Sequence, residues 1–208
     1  VPGVETVVVW ESEVDGYNTY RIPSVLKTQA GTLLAFCEGR KDSRSDTGNI
    51  DLLVKRSDDG GRTWSAHQVV WDNGPNTCGN PCPVVDQNTG DIVLVMTHNP
   101  GREHERDIHS GAVAEGRTVW VCRSSDDGVT WTEPRNITVE TKAPDWRWYA
   151  TGPGVGIQLT KGEHAGRLVI PSDHSQPITT ADGKSDVING SHAIYSDDGG
   201  HTWAYSQV

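Results

Sequence analysis

An all-β chain built from a repeated unit is the fold class this sequence predicts, and three observations predict it. The first is a stretch that occurs three times: Ser57-Asp58-Asp59-Gly60-Gly61-Arg62-Thr63-Trp64, Ser124-Ser125-Asp126-Asp127-Gly128-Val129-Thr130-Trp131 and Ser196-Asp197-Asp198-Gly199-Gly200-His201-Thr202-Trp203. All three fit Ser-x-Asp-x-Gly-x-Thr-Trp, and recurrence at near-even spacing marks a repeat architecture. The second is a succession of short β-branched or alternating runs bounded by Gly, Pro, Asn and Asp. The third is composition: with 34% hydrophobic and 22% charged residues, the chain can bury a core but carries few of the long apolar runs of helices.

The residue types of the repeated stretch suit a stapled hairpin. Asp and Ser fold their side chains onto turn amides, Gly supplies positive φ, and Trp packs the turn against its own sheet. Eight Trp beside a single Met and a single Phe point to tryptophan packing between sheets.

In chain order, Glu5 to Trp10 reads as a valine-rich strand, and residues 4–11 could close a ring by joining its last unit to its first. Tyr20 to Thr28, Thr32 to Glu38, Ile50 to Ser57 and Gln68 to Asp72 read as four strands, with Gln29-Ala30-Gly31 as the first turn. Pro83 to Asp86, Ile92 to Thr97, Val119 to Ser124 and Arg135 to Val139 repeat the pattern around the second box. Val155 to Thr160, Arg167 to Ile170 and His192 to Ser196 begin it a third time, and Val208 falls where an outer strand is due. The units are expected near 12–74, 75–142 and 143–208. Three such units seldom close a ring.

A formal charge of −10 argues against a nucleic-acid or anionic-membrane partner, and it would repel an anionic ligand unless positive charge were concentrated locally. No stretch approaches a membrane span in length, and Val1-Pro2-Gly3 does not open a signal peptide. Cys37 and Cys122 lie in apolar runs as buried thiols, while Cys78 and Cys82 flank a Gly-Asn-Pro turn and could be bridged or free. No second Cys or His pair at ligand spacing completes a metal site, and His98, His104 and His109 fit no common one, so neither metal nor cofactor is expected. Sequons at Asn136 and Asn189 are compatible with secretion.

The loops that interrupt the repeat carry the chemistry. Tyr20-Arg21-Ile22-Pro23 puts an arginine at the start of an inner strand. The segment from Glu38 to Gly48 is dense in charge between two apolar strands.

Tyr-Arg-Ile-Pro, then Glu-Gly-Arg, then Ser-Asp-x-Gly, followed by Asp-boxes, resembles the N-terminal half of the exo-α-sialidase family. The resemblance implies a six-bladed β-propeller, of which this chain covers about three blades, and retaining hydrolysis of terminal sialic acid. It implies that Arg21 belongs to an arginine triad gripping the sugar carboxylate, a task for a planar, permanently charged fork. Arg40 matches an arginine around the O4 hydroxyl. Asp46 matches the general acid/base that protonates the leaving oxygen and later activates water, in a loop expected to be shielded in the whole enzyme. Asn80 sits where the family faces O4 and the N-acyl group, and Glu105 where it has a glutamate near the N-acyl side. Trp148 and Tyr149 resemble the strand entry lining the pocket or serve as packing aromatics, and Asp173 and His174 occupy the place of contacts to the glycerol tail.

Val155 stands where family members often have a histidine. The family's nucleophile, a tyrosine activated by a glutamate, and two more triad arginines find no match here. Tyr17, Tyr20, Tyr149, Tyr195 and Tyr205 do not fit the nucleophile's motif. The expected partners are therefore a sialylated glycan and the C-terminal remainder of the propeller, and the 208 residues alone are expected not to hydrolyse sialosides. A non-catalytic Asp-box propeller binding glycan or peptide is the alternative. Transfer in place of hydrolysis is a third reading.

Overall fold

The computed structural model describes residue 3 and residues 5–207. Its strands are β1 (Thr19–Lys27), β2 (Leu33–Arg40), β3 (Ile50–Ser57), β4 (Gln68–Trp71), β5 (Thr77–Val85), β6 (Ile92–Asn99), β7 (Thr118–Ser124), β8 (Arg135–Asn136), β9 (Tyr149–Thr151), β10 (Ile157–Gln158), β11 (Leu168–Thr179), β12 (Ser185–Ser196) and β13 (Ala204–Tyr205). Two short helices, α1 (Glu105–Ser110) and α2 (Thr138–Thr141), lie in connections.

Three antiparallel meanders emerge: β1-β2-β3-β4, β5-β6-β7-β8, and a third in which β11, β12 and β13 follow one another. In the third, β9 and β10 pair in turn along the same strand, β11. The first two meanders touch through one parallel bridge, Ile50 to Thr77.

The core lies between the sheets. Strand β6 explains how: Ile92, Leu94 and Met96 enter an apolar cluster with Leu34, Phe36, Leu52 and Val54 of the first meander. Val93 and Val95 point the other way, into a cluster with Tyr149, Leu168, Ile170, Ile194 and Trp203 of the third. A strand buried on both faces reads as a continuous apolar run, which is why Ile92 to Met96 shows no alternation. Tryptophans supply the packing expected of them, with Trp71 5.0 Å from Trp120 and Trp131 edge-on to Phe36 at 5.7 Å.

The three boxes form the turns from β3 to β4, β7 to β8 and β12 to β13. In the first, Asp59 Oδ1 accepts from the Arg62 and Thr63 amides, both at 2.9 Å, and Oδ2 from the Thr63 hydroxyl at 2.7 Å. Asp126 and Asp198 repeat the bonds to Thr130 and Thr202. These donors hold Asp126 and Asp198 at about 2, below the usual carboxylate range, although burial opposes the shift at Asp198. The indoles of Trp64 and Trp203 close their turns on the Gly61 and Gly200 carbonyls.

Several expectations need correction. Glu5 to Trp10 pairs with no strand among the described residues; Trp10 lies 5.1 Å from Tyr20, and Lys55 Nζ donates to the Val9 carbonyl, so the segment lies against the first meander as irregular chain. Val4, the first residue of that expected closing strand, and Val208 lie outside the described residues. Arg135 to Val139 yields a two-residue strand, because the Asn136 side chain accepts the Thr138 amide at 2.9 Å and turns the chain into α2. Val155 to Thr160 shrinks to β10. Conversely, β11 and β12 run far past the expected segments as one long hairpin, whose polar outer half hid its extended conformation from hydropathy reading.

Candidate functional site

Each meander's first strand breaks at a proline, and the breaks build the site. Strand β1 bulges between Arg21 and Ser24, where Ile22 precedes Pro23 at φ 55°. Strand β5 bulges between Gly79 and Cys82, where Asn80 precedes Pro81 at φ 52°. In the third, Gly152 at φ 77° precedes Pro153 and separates β9 from β10. Positive φ is costly for β-branched Ile22, of order 1–2 kcal/mol, and such strain persists where the surrounding structure enforces it. Here the breaks are laced together: Ser24 Oγ donates to the Gly154 carbonyl at 2.8 Å, and Thr151 Oγ1 to the Asn80 carbonyl at 2.6 Å. The bulges re-aim neighbouring side chains.

Arg21 leaves the first bulge and places Nη1 3.3 Å from Asp46 Oδ1. Arg40, at the end of β2, places its own Nη1 2.7 Å from the same oxygen. The two arginines differ in exposure: the Arg21 side chain is 48% exposed and that of Arg40 only 3%. Arg40 is held from behind by Glu38, two residues earlier on the same strand face, through Nε at 3.1 Å and Nη2 at 2.7 Å. Its Nη1 also donates to the Arg44 carbonyl at 2.8 Å, pinning the loop that carries Asp46. Glu38 Oε1 accepts the Asn80 amide at 3.0 Å, so one buried carboxylate on β2 ties Arg40 to the bulge of β5.

Behind Asn80 lies Arg117, a residue that sequence reading missed. It is buried, and its Nη2 donates to Asn80 Oδ1 at 2.6 Å and to Thr97 Oγ1 at 3.0 Å. Its guanidinium carbon lies 4.2 Å from the Trp148 ring centroid. Burial lowers its pKa to about 10, still far above neutrality, so it remains a cation.

Ile22, Glu38, Arg40, Asp46, Asn80, Glu105, Arg117 and Trp148 together line a hollow of about 200 Å³. Glu105, on α1, also walls two neighbouring hollows. One, about 530 Å³, is bounded by Ser45, Asp46, Thr47, His104, Arg106 and His109. The other, about 310 Å³, is bounded by His109, Trp148, Asp173, Asn189, Gly190 and Ser191. Burial pushes the Asp173 carboxyl up. Thr47 and His104, within hydrogen-bonding distance at 3.1 Å, join the Asp46 loop to the segment carrying α1.

The structure thus gathers Arg21, Arg40, Asp46, Asn80, Glu105 and Trp148 at one mouth, with Asp173 in the adjoining hollow. Two candidates fall elsewhere. Tyr149 is fully buried, its hydroxyl donating to the Thr141 carbonyl at 3.2 Å and lying 2.9 Å from His192 Nε2, so of its two proposed roles the packing one holds. His174 is buried too, stacked on Trp146 at 3.5 Å with its Nδ1 3.0 Å from His192 Nδ1, and cannot reach a ligand in the hollow. Alternation along β11 separates it from its neighbour Asp173. The shielding expected for Asp46 is not supplied by the described residues, since its side chain is 61% exposed. Cys78 and Cys82 are free, buried thiols, as are Cys37 and Cys122, and burial pushes all four up.

Glu38 and Arg117 each left a faint trace. Glu38 ends an otherwise apolar run and precedes Arg40 by one strand period, the spacing of a same-face pair. Arg117 heads the valine-rich run of β7 as Arg21 heads β1.

Residues 31–208 match the family model described as a BNR repeat-like domain. The chain is 38% identical over 176 residues to an exo-alpha-sialidase of Arthroderma benhamiae, an alignment covering 76% of this chain and 41% of that protein. It is 36% identical to a sialidase of Micromonospora viridifaciens, over 91% of this chain and 29% of that protein. Among solved structures, the Hadza microbial sialidase Hz136 superposes with a TM-score of 0.78 at 30% identity, covering 93% of this chain and 38% of its own. The chain therefore spans about two-fifths or less of the length of these relatives.

Proposed function

This chain belongs to the sialidase family, and from that premise we propose that it forms one side of the active site of a retaining exo-α-sialidase acting on terminal sialic acid of glycoconjugates. The observation that carries the proposal is the sharing of one Asp46 oxygen by Arg21 and Arg40, groups from two strands that meet a third group on a loop. In a chain of net charge −10, guanidinium groups gathered at one mouth supply the local positive charge that an anionic sugar needs.

The roles divide by exposure. Arg21, half exposed, can turn its fork from Asp46 to the incoming sugar carboxylate, and that exchange relieves Asp46 of one of its two cations. Asp46 gives its proton to that oxygen and later takes one from the attacking water. Arg40 is buried and clamped by Glu38, so it stays in place as a fixed cation beside the reacting group. Asn80, Glu105 and Trp148 contact the sugar's ring substituents, and Asp173 its tail. The tyrosine nucleophile, its glutamate and two more arginines come from the C-terminal remainder of the propeller. A neutral tyrosine suits the chemistry, since a carboxylate nucleophile would be repelled by the substrate's own carboxylate.

The test is turnover of an aryl α-sialoside by the full-length protein. Hydrolysis by the unaltered protein is expected, with a loss of about 100-fold in kcat/KM on Arg21→Ala, the size of a charge-assisted bidentate contact of roughly 3 kcal/mol. No turnover by the unaltered protein, or none lost by the variant, contradicts the proposal.

A further inference from the structure

Asn80 makes four hydrogen bonds, and together they leave one end of its side chain for a ligand. Its amide donates to Glu38 Oε1 at 3.0 Å, and its carbonyl accepts from Thr151 Oγ1 at 2.6 Å. Its side-chain Oδ1 accepts from Arg117 Nη2 at 2.6 Å and from Thr97 Oγ1 at 3.0 Å. Arginine has donors and no acceptor, so a flipped carboxamide would set an NH2 against the guanidinium at that distance. The orientation is therefore fixed. The opposite end of the carboxamide, Nδ2, has no hydrogen-bond partner among the described residues, and Asn80 lines the hollow that holds Arg40 and Asp46.

We propose that Arg117 is a positioning residue which, by occupying Asn80 Oδ1, makes this wall of the hollow a pure hydrogen-bond donor that reads an acceptor oxygen on the sugar. The inference rests on the sialidase reading and deepens it by stating which chemistry the wall accepts. A carbonyl or ether oxygen on the substituent facing Asn80 is matched by Nδ2–H. An ammonium facing Nδ2 meets donor against donor at this contact and is disfavoured there. Arg117 is suited to the task because it has little freedom to move. It is buried, its guanidinium lies over the Trp148 ring, and its reach to Asn80 crosses Gly79, where a Cβ would stand 2.5 Å from Glu38 Oε1 and 3.5 Å from Arg117 Nη2. Trp148 in turn lies 5.6 Å from the His109 ring, so Arg117 orients two neighbouring contacts of one wall.

The test is a double-mutant cycle in the full-length protein with an N-acylated aryl sialoside and its free-amine counterpart. Arg117→Met is expected to raise KM for the N-acyl substrate about tenfold, the value of one hydrogen bond, with kcat changed less than twofold. In an Asn80→Ala background the same substitution is expected to add only what it does through Trp148, well under its effect in the unaltered protein, whereas a merely structural Arg117 would add its full effect. Asn80→Asp carries little folding risk. It keeps the bond to Arg117 and turns an acceptor to the hollow, so it should raise KM for the N-acyl substrate and lower it for the amine, narrowing the preference by about tenfold or more. An active protein whose KM is unmoved by Arg117→Met, or whose preference is unmoved by Asn80→Asp, overturns this inference alone. An unaltered protein that turns over no sialoside overturns the sialidase reading with it.

Discussion

Glu38→Gln is predicted to weaken the fold by about 3 kcal/mol although it changes only one atom. Both carboxylate oxygens are engaged: Oε2 accepts Arg40 Nε and Nη2, and Oε1 accepts the Asn80 amide. Gln offers one acceptor and one donor, so either the guanidinium or the amide must face an NH2. A buried donor left without an acceptor costs roughly 1–3 kcal/mol, and stripping the counter-charge from a buried ion costs roughly 3–5 kcal/mol. Arg40 retains Asp46 and the Arg44 carbonyl, which places the loss near the lower end of the second range. In urea, with a slope of roughly 2–3 kcal/mol per molar, the unfolding midpoint should move down by about 1–1.5 M without a change of slope. A shift under about 0.3 M would mean that Glu38 is not the clamp described here. If the slope changed as well, the comparison would report on the unfolded state instead.

Gly79→Ala puts a Cβ 2.5 Å from Glu38 Oε1, which accepts the Asn80 amide in a carboxylate whose other oxygen is held by two Arg40 donors, so a stability loss of about 2 kcal/mol together with a raised KM is expected from unfolding and kinetic measurements. His192 is held by burial at about 4 beside His174, whereas the unfolded chain takes its proton near 6.5. Between those values the unfolded state binds more protons, so stability should be fully present above pH 6.5 and fall as pH drops towards 4, by about 2 kcal/mol once residual solvent screening is allowed for. Urea midpoints across that range should show the slope, and His192→Gln should flatten it. Below it, a second fall is expected between pH 4 and pH 2, where Asp126 and Asp198 must give up their box hydrogen bonds.

The sequence made strands legible where an apolar run was continuous or turn chemistry explicit, but the buried first half of β5, Thr77 to Cys82, read as a Gly-Asn-Pro turn. Strand β3 ran from Ile50 to Ser57 as read, because an apolar run ended at a box that could only be a turn. Glu5 to Trp10 is irregular chain here, since a strand needs a partner and the one expected of it, the ring's last unit, is not among the described residues. The outer half of the β11–β12 hairpin escaped for another reason: polar residues on both faces carry no hydropathy signal, although twelve consecutive register pairs hold the two strands together. Arg21, Arg40 and Asp46, singled out by the order of their motifs, do meet at one carboxylate oxygen. Glu38 and Arg117 act through other side chains, and such a role becomes visible only when the partner's free end is known. Tyr149 takes the packing role of its two, and His174 lies in the core beside it, because single-residue alternation turns one neighbour to the hollow and the next to the core.

Everything rests on Asp46 acting as the acid that protonates a leaving oxygen at the mouth formed with Arg21 and Arg40. The direct measurement compares Asp46→Asn with the unaltered full-length protein on two substrates, one whose leaving group needs protonation, such as a sialyl-lactose, and one whose nitrophenolate leaves unaided. The variant should lose about 100-fold or more on the first and at least tenfold less on the second. Equal losses on both would contradict the assignment.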